Sequence, residues 1–533
     1  MRTPRHLHRS LLAVTAAGAL TLGGLAAVPA AGDEPTAKPA AEAAPPVGGD
    51  RLLRKYAEDT WRSFEAMAVP RTGLPADNIA GNLKPGTRST FTSPTNIGAY
   101  LWSTVAARDT GLIGAREARR RMALTIDTVG ELEKHEPSGQ FYNWYDPRTL
   151  EKLTTWPESG DPVQPFLSSV DNGWLATGLL LAARAEPRLA DEADAIREEM
   201  DFGCYYNEAE GQGGQIRGGF WDEDFGDPVR VRGDYCGMGE DVWYTGHHYG
   251  AFNTEPRMAS YLGIAEGQIP AKHYFGTFRT FPGDTCDWDW TESPPTGVWR
   301  TYEGVDVYEG VLDYRGMKVV PTWGGSMFEA LMVPLFVPEE EWGARSWGVN
   351  HPLYVQGQIE HGLEETDYGY WGFSPSNNPA GGYREYGVDA LGLDGAGYTS
   401  DQERTDWDQP WEECGREGEP APAAEEYGDG VVTPHASFLA LRYAPEAALA
   451  NLANLREDFD AYGPGGFYDA VAVESGQVSR RYLSLDQGMV MAALGNALAG
   501  DDMRRYVAPG GLTEQVRPLM EQEVFSTSGR EVP

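Results

Sequence analysis

The chain has 533 residues, with 43 Lys and Arg against 80 Asp and Glu, a formal charge of −37. The length supports a large hydrophobic core, and the acidity excludes the basic stripe that nucleic-acid binding needs and disfavours docking on anionic lipid. A hydrophobic content of 41%, with 16 Trp, 26 Tyr and 18 Phe, excludes general disorder.

In chain order, residues 1–30 read as a secretory signal peptide. Arg2, Arg5 and Arg9 precede an apolar run over 11–25, and the small residues of Val28-Pro29-Ala30 close it. No later stretch reaches the roughly 18 to 20 apolar residues of a membrane span, so a secreted protein without a membrane anchor is expected. Residues 31–49 are rich in Ala, Pro and Glu and read as a disordered spacer, and one folded domain is expected over 50–533. Apolar residues at three- and four-residue spacing then predict helices over 51–67, 95–110, 116–134, 170–185, 189–200 and 255–264. Further helices are predicted over 326–332, 352–362, 432–443, 446–459, 485–499 and 513–524. With no steady strand alternation between them, the expected fold class is all-α. Segments 205–250, 276–323 and 366–430 are loaded with Gly, Trp, Tyr and Asp and read as long functional loops, with 401–429 an acidic, solvated rim.

Cys204, Cys236, Cys286 and Cys414 show no C-x-x-C spacing and fit two disulfides, with three pairings open. No G-x-S-x-G elbow, phosphate loop, H-E-x-x-H or EF-hand loop occurs, and His247-His248 read as a hydrogen-bonding pair on a loop. What stands out is carboxylates set among aromatics and glycines: Asp146, Asp171, Glu208, Glu210, Glu255, Asp469 and Asp486. Pyranose rings pack their C–H faces on Trp and Tyr and offer hydroxyls to carboxylates and Asn. Glycosidic cleavage needs one protonated acid and one base or nucleophile. The pattern therefore points to an oligo- or polysaccharide partner and to a glycosidase.

Several segments carry a family resemblance. They are Ser93-Pro-Thr-Asn-Ile-Gly98, Phe141-Tyr-Asn-Trp-Tyr-Asp146, Ser169-Val-Asp171 and Tyr205-Tyr-Asn207. The run from Glu255 to Ala265, Trp323-Gly-Gly-Ser-Met-Phe-Glu329, Gly466-Phe-Tyr-Asp-Ala470 and Asp486-Gln-Gly488 complete the set. The chain resembles, over about 50–525, the glucoamylase-like family that includes bacterial endo-β-1,2-glucanases and sophorose-releasing enzymes, and that is akin to a domain of cyclic β-1,2-glucan synthases. The resemblance implies an (α/α)6 barrel, or toroid, and an inverting hydrolase with neither metal nor organic cofactor. It implies Glu255 as general acid and Asp469 or Asp486 on the base side, acting through a substrate hydroxyl and a water. Asp171 stands where the family often has a Glu in the cleft. Expected substrate contacts are Asp171, Asp146, Glu208, Glu210, Trp174, Trp323, Tyr206 and Asn253, with Glu329 a buried structural acid. A monomer is expected. A transglycosylase or a hydrolase of another glycan on the same barrel, and a non-catalytic sugar-binding protein, remain the alternatives.

Overall fold

The computed structural model describes residues 49–286, 291–393 and 408–529. The expected signal peptide, the spacer up to residue 48 and residues 401–407 of the acidic rim lie outside the described residues. The described residues fall within one compact unit. They contain fifteen α-helices: α1 (Gly49–Met67), α2 (Pro94–Asp109), α3 (Ala115–Val129), α4 (Ser169–Ala185), α5 (Ala190–Glu198), α6 (Arg257–Ala265), α7 (His273–Gly276) and α8 (Met327–Leu331). The rest are α9 (Glu339–Trp342), α10 (Trp347–Glu360), α11 (Pro434–Leu439), α12 (Pro445–Asp458), α13 (Ser484–Ala499), α14 (Asp502–Val507) and α15 (Arg517–Gln522). Each of the twelve predicted helices overlaps one of these. The three extra, α7, α9 and α14, span four to six residues, too short to show a helical period.

Two layers follow from burial pattern. Every residue of α2 from Pro94 to Ala107 is buried, as is all of α4 up to Ala183 except Asp171; a helix apolar on all sides belongs inside. By contrast α3 buries Ala118, Met122, Thr125, Ile126 and Val129, one stripe at helical spacing, and turns its arginines outward. The inner helices pack in succession: α2 on α4, α4 on α6, α8 on α11, α11 on α13, and α13 back on α2. Arg257 of α6 donates to the carbonyls of Glu329 and Ala330 in α8, at 2.8 and 2.7 Å, and bridges the remaining step. Outer helices cover each of them: α3 on α2, α5 on α4, the segment Leu512–Val516 on α6, α10 on α8, α12 on α11 and α1 on α13. The α2–α4 crossing is a backbone contact, because a Cβ on Gly98 would stand 2.4 Å from the Trp174 carbonyl oxygen and one on Gly178 2.6 Å from Gly98 Cα.

The chain is not purely helical. Thr296–Tyr302, Val305–Tyr314 and Met317–Val319 form a three-stranded antiparallel sheet inside a segment predicted to be irregular. Val305, Val307, Glu309 and Val311 alternate inward along its central strand. Its two turns, Glu303-Gly304 and Arg315-Gly316, hold all four residues at positive φ, the two-residue hairpin signature with glycine second. Cys204 pairs with Cys236 and Cys286 with Cys414, settling which of the three pairings forms. No helix among the described residues is long and apolar enough to cross a membrane.

Glu309 is fully buried, within reach of the ion pair that Arg279 makes with Glu523. Burial, reinforced by the Glu523 charge, pushes its carboxyl up to about 8, although Arg279 opposes the shift. The folded protein thus keeps a proton that the unfolded chain releases, so this group makes stability fall as pH rises from its ordinary value of 4.5 to about 8. In thermal melts, the advantage of Glu309→Gln over wild type is expected to be absent near pH 4.5 and to grow towards pH 8.

Candidate active site

The carboxylates converge where the inner helices begin. Ser93, Ser168 and Ser326 cap α2, α4 and α8 by accepting from the backbone N–H of Asn96, Asp171 and Glu329, and these first turns place Thr95, Asp171 and Glu329 at one end of the ring. Glu255 immediately precedes the first turn of α6, while His435 and Asp486 lie in those of α11 and α13. Helix N-termini carry partial positive charge, so six of them together favour a cluster of acids.

On one side stands Glu255. Its Oε2 accepts from the Trp174 indole N–H at 2.9 Å, and its backbone N–H donates to Glu329 Oε2 at 2.7 Å. Thr254 Oγ1 donates to the same Glu329 oxygen. Burial, then the charges of Glu329 and Asp171, raise the Glu255 carboxyl well above its ordinary range, against the pull of Trp174. Such a group keeps its proton near neutral pH. Asp171 accepts from Thr95 Oγ1 at 2.6 Å and from Asn143 Nδ2 at 2.8 Å. Beneath, the buried Arg257 forks onto Glu339 at 2.8 and 3.0 Å and donates to the Thr254 carbonyl. Burial works to raise Glu339, but Arg257 and His351 hold it down at about 2.

Opposite lie Asp469 and Asp486, each 2% exposed. Asp469 Oδ2 accepts the backbone N–H of Asn377 at 2.6 Å. The two carboxyls influence each other in opposite senses, the proximity of Asp486 lowering Asp469 and that of Asp469 raising Asp486. Asp486 is therefore the member holding the proton, and Asp469 the one holding the charge. Burial still lifts Asp469 to about 6, and burial with the Asp469 charge lifts Asp486 well above the usual carboxylate range. His435 Nδ1 is 3.6 Å from Asp486 Oδ2, yet burial lowers this imidazole to about 3, so the contact joins two neutral groups. A cavity of about 10 Å³ lies between Asp469, Asp486, Gln487, His435 and Thr433, enough for a single water. Asp77, held by Asn96 and Asn78 at 2.8 and 2.9 Å, feels the Asp171 charge and adds its own to Asp469 and Asp486. It is the link between the two sides.

Residues 291–502 match the model of a family described as "Putative glucoamylase", and residues 55–218 match that of a family described as a protein of unknown function. Over residues 291–502 the chain is therefore similar to that putative glucoamylase family. An endo-β-1,2-glucanase from Chitinophaga pinensis, solved with sophorotriose and glucose, is 15% identical with a TM-score of 0.59, over 88% of this chain and 97% of that one. The endo-β-1,2-glucanase from Talaromyces funiculosus with sophorose is 14% identical, with a TM-score of 0.61 over 91% and 93% of the two chains. These likenesses show a shared fold. The cyclic β-(1,2)-glucan synthase NdvB of Rhizobium meliloti (strain 1021) is 25% identical over 600 residues, which cover 88% of this chain and 18% of the synthase. This chain thus spans under a fifth of that relative.

Of the residues expected at the site, Glu255, Asp171, Asp469 and Asp486 come together. Trp174 does not line the cleft as a stacking platform: it is 0% exposed, and its role is to donate to Glu255. Asn253 is likewise 0% exposed and donates to the Val320 carbonyl, and Tyr206 is buried with its hydroxyl on the Gly213 carbonyl. Asp146 is tied to Arg148 at 2.6 Å rather than turned to the acids; Asn143, three residues earlier, is the side chain from that segment that reaches Asp171. Glu208 is exposed beside Lys272, Glu210 lies 3.7 Å from His248, and Trp323 is half-buried just before α8. Glu329 is buried, as expected of a structural acid, but it holds the backbone of Glu255 directly. Sequence reasoning missed Asp77; Asp77-Asn78 carries no aromatic or glycine signal to mark it. Among the described residues Asp201, Cys204 and Cys236 fall at metal-ligand spacing, but both sulfurs are locked in a disulfide and offer no thiolate.

Proposed function

We propose that the protein is an exported, inverting glycoside hydrolase that cleaves a β-1,2-glucan within an (α/α)6 barrel formed by one domain over 50–533. The observation that carries the reading is a carboxyl kept protonated, Glu255, facing a carboxyl kept charged, Asp469, across a cleft ringed by six helix starts. The barrel reading is supported by six inner helices packed in succession, each with an outer cover. Glu255 protonates the leaving glycosidic oxygen, and Trp174 orients it. Asp469 takes the proton of the attacking water. Because Asp469 is 2% exposed, the proton travels through a substrate hydroxyl rather than by direct contact with bulk water. Asp486 holds the neighbouring proton and keeps the charge on Asp469. Asp171 binds sugar hydroxyls. Stacking falls to Trp144, one residue on from Asn143, and Trp156, half-exposed rings packed with Phe91 at 5.6 and 4.6 Å. Two disulfides fit an oxidising, extracellular setting.

Incubation with linear and cyclic β-1,2-glucans and a panel of other glucans tests the reading, with products resolved by chain length and anomer followed by NMR. Short β-1,2-oligosaccharides released with inverted anomeric configuration are expected. Products longer than the substrate with retained configuration would make it a transglycosylase instead. The pH profile of kcat/KM is expected to be bell-shaped. Its acid limb should fall away below about pH 6 as Asp469 gains a proton, and its alkaline limb as Glu255 loses its own.

A further inference from the structure

Residues Ser376–Asn377 and Tyr383–Arg384 pair as a short antiparallel hairpin, with Asn377 directly opposite Tyr383. The tip is held by Asn378 N–H on the Gly382 carbonyl at 2.7 Å and Gly381 N–H on the Asn378 carbonyl at 2.8 Å. Gly381 and Gly382 take φ of 110° and 83°, conformations open to glycine at little cost. Asn378 also donates to the Tyr386 hydroxyl at the foot of the hairpin. The backbone N–H of Asn377 is the one that clamps Asp469 Oδ2. The residue across from it, Tyr383, is consequently carried beside the base by strand pairing and not by its own packing.

The surroundings of the ring are unusual. Tyr383 is 47% exposed, and the charges it feels are those of Asp486, Asp469 and Glu255, in that order. Those three lie on both sides of the cleft. Tyr249, by comparison, feels Glu255, Glu329 and Asp171, the acid side. A ring open to water and influenced by the acids of both sides stands in the cleft itself. A phenol there offers a flat face to a pyranose and a hydroxyl that donates or accepts without carrying charge. Neighbouring carboxylates and burial keep it neutral through the working pH range, so it disturbs neither the charge on Asp469 nor the proton on Glu255.

We propose that Tyr383 is a substrate-contacting residue that holds a sugar hydroxyl between the acid Glu255 and the base Asp469, its position fixed by the hairpin that clamps Asp469. The inference rests on the glycosidase reading and names a residue that directs the proton path through the sugar. A ring set here aligns only a sugar whose free hydroxyl points from the scissile bond towards Asp469, so it discriminates among glucan linkages as well as binding them.

The test compares wild type, Glu255→Gln, Tyr383→Phe and Tyr383→Ala on β-1,2-glucan and the glucan panel, with oligosaccharide affinity measured in the Glu255→Gln background with and without Tyr383→Phe. Losing one hydrogen bond to a sugar corresponds to about a tenfold change. Tyr383→Phe is therefore expected to lower kcat/KM about tenfold, and Tyr383→Ala further as the ring face is lost. The acid limb of the pH profile should stay in place, because the phenol does not titrate there; a merely structural disturbance of the hairpin would release Asp469 from Asn377 and move it. Wild-type kcat/KM and unchanged oligosaccharide affinity in Tyr383→Phe would overturn the assignment while leaving the glycosidase reading intact. Absence of both turnover by wild type and glycan binding by Glu255→Gln would overturn the two together.

Discussion

Glu255→Gln is expected to lower kcat/KM on β-1,2-glucan by about 10²- to 10⁴-fold, with oligosaccharide affinity preserved. The amide still accepts the Trp174 indole N–H, so the side chain keeps its place. It has no proton to give to a departing sugar oxygen, and an alkoxide leaving group is too basic to depart unaided. Three features make the wild-type carboxyl fit for the task. Burial raises its affinity for a proton, the Glu329 and Asp171 charges raise it further, and Trp174 fixes one of its oxygens. Steady-state kinetics and calorimetric binding on the same preparation separate the two quantities. A variant that turns over like wild type would move the acid elsewhere; a variant and wild type both inert but sugar-binding would make this a glycan receptor.

Arg257→Met is expected to destabilise the fold by about 3–5 kcal/mol, because it strands a buried carboxylate. Glu339 is 0% exposed and receives both arms of the guanidinium, along with Tyr261 and His351. Without Arg257 it must take up a proton or remain charged in a low-dielectric interior. The same guanidinium binds the carbonyls of Thr254, Glu329 and Ala330, so its loss loosens both the residue before Glu255 and the helix bearing Glu329. Denaturant unfolding should show the loss, and activity should fall even where the protein remains folded. Adding Glu339→Gln should recover part of the stability, since a neutral amide needs no counterion. A simple additive double mutant would contradict the account.

The helices were legible because apolar residues at three- and four-residue spacing report burial directly. Even the distinction between layers is written there: α4 is mostly apolar and buried on every face except at Asp171, whereas α3 carries a single buried stripe. The sheet over 296–319 escaped because 276–323, loaded with Gly, Trp, Tyr and Asp, reads as one long loop, although Glu303-Gly304 and Arg315-Gly316 are each a two-residue turn between strands. At the site, Glu255, Asp171, Asp469 and Asp486 stood out through their aromatic and glycine neighbours. Which residue of Phe141-Tyr-Asn-Trp-Tyr-Asp146 faces the acids was not readable, because the choice between Asn143 and Asp146 depends on how the loop turns and on Arg148 two residues further on. Trp174 looked like a sugar platform for the same reason that it is a good core residue. An indole is large, apolar and carries one donor, and only the position of Glu255 decides where that donor goes. Asp77 has no local signature at all; it is recruited by Asn96 across the fold.

The contact between Gly98 and Gly178 has a bearing on how such a molecule can change over generations. Thr95 and Asn96, which hold Asp171 and Asp77, ride on α2, and Asp171 itself rides on α4. Since these helices meet main chain to main chain, the spacing of the acids is set by two glycines and not by the bulk of the surrounding leucines and valines. The interior can therefore drift by exchange of one apolar residue for another without carrying the acids out of register. Lineages sharing little sequence can keep one chemistry, provided those two positions stay without a side chain.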